Sequence, residues 1–341
     1  MQAPPQKKHP SAARVTQDWA TQWETWVRDH QPDTCGWWNL SNGSEPADWF
    51  AALPPAQKRE LNFRRLQGEL YRTLVSGVTW EEETEHCDRR VNGLDLEFVD
   101  ALHQYNQGAG YWDPGWQVIE PTSDGYWAVK QQDLTIEVLP EQHLAAGIVP
   151  VADMLVSVKM PKNLVDADRY MAVGNAGKPT GDRLQIYLHC DRETVLPVMR
   201  DITTALNQVA IPFSFAVPYE PFEYPRWDAG ILIIEQQNQA KLTSIWQSLV
   251  QAWADKLLPA VPLMAKPLLP GIAIAQLRAD QSDFGWWCCQ LLAEGLLQQP
   301  QTCRSRLAGV EQIFAQAQLD WAQPYRAAGA GQLEFLGLGG C

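Results

Sequence analysis

The sequence predicts an α+β fold: a largely antiparallel sheet with packed helices, preceded by a helical N-terminal region. Apolar residues recur every three to four positions in the first hundred residues and again after residue 195, as one buried face of a helix requires. Between residues 126 and 190 they alternate instead with polar residues in five short runs, the period of a strand with one wet face. No segment long enough for a crossover helix separates those runs, which argues for antiparallel neighbours over a doubly wound parallel sheet.

Taken in order, residues 1–15 are polar and contain proline, and are read as a loose arm. Trp19, Trp23 and Trp26 then stand four and three apart on one helical face. The segment DTCGWWNLSNGSEP carries Asn-Gly and Pro breakers and reads as a loop. Residues 56–75 form a second helix with Phe63, Leu66, Leu70 and Leu74 in one stripe and Lys58, Arg59, Arg64 and Arg65 outside it. A short helix is expected at 94–105. From residue 106 the texture changes: NQGAGYWDPGW reads as turns, and strands follow at YWAV, LTIEVL, MLVSV, RYMAV and LQIYLHC. Pro197 fits a helix only in its first turn, so the stripe Val195, Val198, Ile202, Leu206 and Val209 starts near it. IPFSFAV and GILII are two more strands, and Leu242, Ile245, Leu249 and Trp253 mark another helix. Residues 261–274 are proline-rich and read as irregular chain; helices are expected at 284–297 and 305–318, and a flexible tail from 329. The expected units are an arm at 1–15, a helical region at 16–105, an α+β domain at 106–328 and a tail at 329–341.

A net charge of −13 argues against a general nucleic-acid binder, even with 16 tryptophans available for stacking. No run of about 18 apolar residues exists to cross a membrane, and the N-terminus lacks a secretory core. Seven scattered cysteines without a CxxC pair read as reduced thiols in a cytoplasmic compartment. Phosphate-loop, dinucleotide, zincin and nucleophile-elbow motifs are absent. Glu85, His86 and Cys87 are adjacent, which is poor spacing for one ion, so neither a metal nor a cofactor is expected.

Against this acidic background, Leu155–Cys190 holds five cations (Lys159, Lys162, Arg169, Lys178, Arg183) and three acids (Asp166, Asp168, Asp182). Such an island is either an anion site or a set of solvated turn charges. Arg226, in EYPRWD, can pair with Asp228 or clamp an anionic ligand through its planar fork. His143 is either a loop histidine or a proton donor near neutral pH.

The segments LQGELY, NQGAGYWDPGW, VKMPKNL, RYMAVGNAG, RLQIYL, ALNQVAIPFSF, EYPRWDAGILII, LLPGIAIA, DFGWWCCQLLAEGLL and QPY occur in that order, from Leu66 to Tyr325. Together they resemble the HopA-like family, which includes a type III secretion effector of plant pathogens, cyanobacterial homologues and the lyase component of class V lanthipeptide synthetases. The resemblance implies an α+β fold and β-elimination of phosphate from phosphoserine or phosphothreonine in a precursor peptide, with a kinase as partner. That chemistry needs a base for the Cα proton, cations for the phosphate and a donor for the departing oxygen. Lys159 is the candidate base and His143 the candidate acid; Lys162, Arg183, Arg226 and Lys130 are candidates for holding phosphate. The PYLN ending of relatives becomes Pro324, Tyr325, Arg326 and Ala327 here, and three positions inside the segments also depart from the family pattern. Ala216 and Cys288 stand where relatives often carry a lysine and an arginine, and Asp283 replaces a serine. Two lost cations and a gained carboxylate weaken a phosphate site, so the alternative is a catalytically degenerate adaptor that binds a peptide or protein.

Overall fold

The computed structural model describes residues 19–32, 38, 40, 48–78, 95–166, 168–253, 255–298 and 303–327. The expected arm, the Glu81–Cys87 run, most of the DTCGWWNLSNGSEP loop and the tail lie outside these residues.

Helices α1 (Trp19–Asp29), α2 (Asp48–Ala52) and α3 (Pro55–Leu70) open the fold, and α3 runs on into a π-helical turn at Tyr71–Ser76. Gly77 ends that turn at φ +67°, and a Cβ there would fall 2.0 Å from the Trp227 ring; only glycine fits. After α4 (Leu96–Tyr105) come β1 (Tyr111–Pro121), β2 (Trp127–Gln131), β3 (Leu134–Val138), the single turn α5 (Pro140–His143) and β4 (Leu155–Met160). They form a four-stranded sheet in the order β3-β2-β1-β4, antiparallel throughout. The WDPGW motif does not end in a turn: Pro114 and Gly115 sit in a bulge inside β1, between the Asp113 and Trp116 registers. One face of this sheet buries Trp116, Val118, Val129, Val138, Val156 and Val158 against Leu144.

The larger sheet comprises β5 (Asn163–Val165), β6 (Arg169–Val173), β7 (Arg183–Leu188), β8 (Phe213–Pro218), β9 (Gly230–Glu235), β10 (Lys266–Leu269) and β11 (Ile272–Leu277), in the order β10-β11-β7-β9-β8-β6-β5. Every pairing is antiparallel, as the period-two runs require. Helices α6 (Val195–Gln208) and α7 (Gln239–Trp253) cover one face, where Leu184, Ile186, Leu188, Phe213, Phe215, Leu232 and Ile234 meet Val198, Ile202, Leu206, Leu242 and Trp246. The opposite face was expected to be wet. It is not: Gln185 and Tyr187 are each 0% exposed, under α3 and the hairpin of α8 (Phe284–Gln298) and α9 (Cys303–Gln316). A short ribbon, β12 (Leu319–Asp320) and β13 (Gln323–Ala327), closes the described chain. The α1 tryptophan stripe belongs to the same core: Trp19 and Phe314 pack on Trp321 at centroid distances of 4.4 and 5.1 Å.

The proline-rich segment at 261–274 is thus a correction, because it contains β10 and the start of β11. Among the described residues no helix is long and apolar enough to cross a membrane, and Cys190, Cys288 and Cys289 are free, buried thiols.

Gly295 sits where α8 crosses α9, and an added Cβ would lie 2.5 Å from Cα of Val310. Gly295→Ala is therefore expected to lower stability by about 1–3 kcal/mol through overpacking, although alanine is the better helix former. Chemical denaturation checks this; a gain in stability would contradict the packing described.

Candidate anionic-peptide surface

Two sets of charged groups stand out, one buried and one exposed. The buried set is built around Asp228, which is 0% exposed. Its carboxylate accepts from Arg169 Nη2 at 2.7 Å, from Arg226 Nε and Nη2 at 2.9 Å each, and from the Tyr71 hydroxyl at 2.8 Å. Arg169 Nη1 also donates to the Asp228 carbonyl at 3.0 Å. Arg226 completes its fork with Glu223 at 2.8 Å and with Ser76 Oγ at 3.1 Å. Burial alone would push the Asp228 carboxyl up, but Arg226 and Arg169 outweigh it and hold the group well below the usual carboxylate range. Of the two alternatives for Arg226, the structure selects the pair with Asp228. All of its donors point at protein acceptors.

The other sequence candidates have separate partners. Arg183, at the start of β7, gives one Nη to the carbonyls of Arg278 (2.9 Å), Ala279 (3.3 Å) and Gln281, and burial lowers its pKa. Lys162 Nζ donates to the carbonyls of His103 (2.8 Å) and Asn106 (2.9 Å), the last acceptors of α4, where a cation also suits the helix dipole. Burial lowers its pKa as well. His143 ends α5 with Nδ1 accepting from the Leu139 amide at 3.1 Å. Lys130 is exposed on β2. The six candidates therefore do not share one network.

Two of them do share a surface. The registers Gln117↔Lys130, Gln117↔Leu155 and Trp112↔Lys159 put Lys130 and Lys159 on the same outer face of the four-stranded sheet, opposite its buried valines. Lys159 Nζ lies 5.6 Å from the centroid of the Trp112 ring, which is 44% exposed. On the opposite face of β1, Lys178 Nζ lies 5.8 Å from the buried Tyr111 ring and 3.5 Å from Asp113 Oδ1. Sequence reasoning missed Trp112 as a neighbour of Lys159, since only the β1–β4 register brings the two together.

The glycine-rich turn before β1 is held by side chains and is not a free anion cradle. The amides of Gln107, Gly108 and Ala109 donate to Thr203 Oγ1 (3.0 Å), Asn106 Oδ1 (2.9 Å) and Asn175 Oδ1 (2.7 Å). Asn106 Nδ2 donates to the Lys162 carbonyl and the Tyr170 hydroxyl, both at 3.1 Å. This knot fixes the entry of β1 beside Lys162 and so places Trp112.

The three departures also acquire locations. Ala216 lies on β8 opposite Met171 and Ile231, in the core under the helices. Cys288 is buried in α8, and burial pushes its thiol well up, away from the reactive thiolate. Asp283 is the N-cap of α8: its Oδ1 accepts from the Trp286 amide at 2.6 Å, and its Oδ2 from Gln185 at 2.6 Å. Aspartate and serine both perform that capping role, so this exchange preserves the helix start.

Residues 160–326 match the HopA1 effector protein family. The chain is also similar in structure to two solved effector proteins of Pseudomonas syringae. With that of pv. tomato strain DC3000 it shares 13% identity, covering 80% of this chain and 96% of the other, with a TM-score of 0.44. With that of pv. syringae strain 61 it shares 12% identity, covering 80% and 98%, with a TM-score of 0.43. None of the curated protein sequences matches this chain.

Removing the central carboxylate would leave two buried guanidiniums uncompensated. Asp228→Ala should cost about 3–5 kcal/mol, as broken buried pairs do. Because the folded-state pKa of Asp228 lies below its unfolded value near about 3.9, its contribution is complete above that pH and is lost as pH falls further. Denaturation curves against pH should show this loss in the parent protein. An Asp228→Ala protein of parental stability would refute the assignment.

Proposed function

We propose that this chain, whose residues 160–326 match the HopA1 effector protein family, binds peptides carrying phosphoserine or phosphothreonine. The observation that carries the reading is Lys159. Its ammonium stands beside the exposed Trp112 ring, has no carboxylate partner among the described residues, and lies on an outward sheet face of an acidic protein. A dianionic phosphate is an anion that such an unpaired cation, with Lys130 on the same face, recruits against a net charge of −13, and the indole offers apolar contact to the neighbouring peptide. A partner kinase would supply the modification.

The lyase reading rests on the same lysine. β-Elimination needs a base to take the Cα proton, and Lys159, unlike Lys162, is not committed to a protein oxygen among the described residues. Against turnover, the two arginines suited to clamp the leaving phosphate are occupied, Arg226 by carboxylates and Arg183 by carbonyls. Binding without efficient elimination is the function the geometry supports best.

Calorimetric titration with matched phosphothreonine and threonine peptides tests this. The phosphopeptide should bind more tightly, and the difference should shrink with salt. Lys159→Ala should remove about 1.5–3 kcal/mol, roughly a ten- to hundredfold loss. Equal affinity for both peptides would sink the binding reading. Loss of phosphoric acid from the peptide, seen by mass spectrometry and abolished by Lys159→Ala, would establish the lyase reading instead.

A further inference from the structure

We propose that the phosphopeptide is held as an added fifth strand along the open edge of β4, in register with Lys159 and Leu155. The inference rests on the phosphopeptide reading and specifies how the peptide's backbone is recognised.

An edge strand presents unpaired N–H and C=O groups, and an extended peptide satisfies them. Among the described residues β4 is an outer strand of its sheet, pairing only with β1. No described hydrogen bond outside the sheet reaches the backbone of residues 155–160.

The other outer strands of the two large sheets suit an anionic peptide less well. At the far edge of the small sheet, β3 carries exposed Glu137 beside Asp133. In the large sheet, β10 contains Pro267, which lacks an amide hydrogen, and β5 is three residues long. On β4, by contrast, Leu155 is 68% exposed and Lys159 is on the same face four residues away. The occupant that fits is therefore an extended peptide with its phosphate beside Lys159 and Trp112, and an apolar side chain four residues away beside Leu155.

The test modifies the peptide and leaves the protein intact. A labelled phosphothreonine peptide with leucine four positions from the modified residue is compared with two derivatives, each N-methylated at alternate amides in opposite frames. In an added strand every second amide faces β4. One frame should therefore lose tenfold or more in affinity, while the other stays within about threefold of the parent. Equal affinity of all three peptides, or equal loss in both frames, would overturn edge pairing while leaving phosphopeptide binding in place. Failure of the unmethylated peptide to bind would overturn the phosphopeptide reading itself, and the edge-strand proposal with it.

Discussion

Asp228 is a carboxylate with no access to water, held by two guanidiniums and a phenol. Through Arg169 it fastens the outer part of the large sheet. Through Tyr71 and Ser76 it fastens the π-helical turn that continues α3, and through Arg226 and Glu223 it fastens the loop leading to β9. Charges buried in this way are costly unless every donor and acceptor is matched, and here the matching is close. The consequence for function is direct. Arg226, a candidate for holding phosphate in the sequence, is engaged by Asp228 and Glu223, and two of the other candidates, Lys130 and Lys159, lie on the outer face of the smaller sheet.

That division separates scaffold from surface along the chain. The family segment, 160–326, contains the large sheet, its covering helices and the Asp228 network. Trp112, Lys130, Leu155 and Lys159 precede it and come from the four-stranded sheet. The two parts meet at the Asn106 knot, where Lys162 closes α4 and Gly108 lies against the Lys162 side chain. The scaffold of the matched segment therefore sets the position of the proposed binding face, whose residues Trp112, Lys130, Leu155 and Lys159 lie outside that segment.

Much of the fold was legible because local patterns agreed with burial. The Trp19, Trp23 and Trp26 stripe and the LQIYLHC alternation each point a continuous set of side chains at a core. The wet face expected of β7 was misjudged because Gln185 and Tyr187 are polar yet buried, satisfied by each other and by Asp283. The strands β10 and β11 were hidden by Pro262, Pro267 and Pro270, and by a run, IAIAQL, that is apolar on both faces and so has no polar alternation. The site was less legible still. Arg226 and Asp228 are two residues apart and could be read either way, whereas Arg169–Asp228 and Trp112–Lys159 exist only through tertiary pairing.

Hydrogen–deuterium exchange, measured with and without a saturating phosphothreonine peptide, tests the central claim most directly. New protection should fall on residues 155–160 of β4 and on the adjoining 109–113 segment, with residues 223–228 unchanged because their network is complete without ligand. Protection centred on Arg226 and Asp228, with β4 unaffected, would contradict the account and restore the arginines as the anion site.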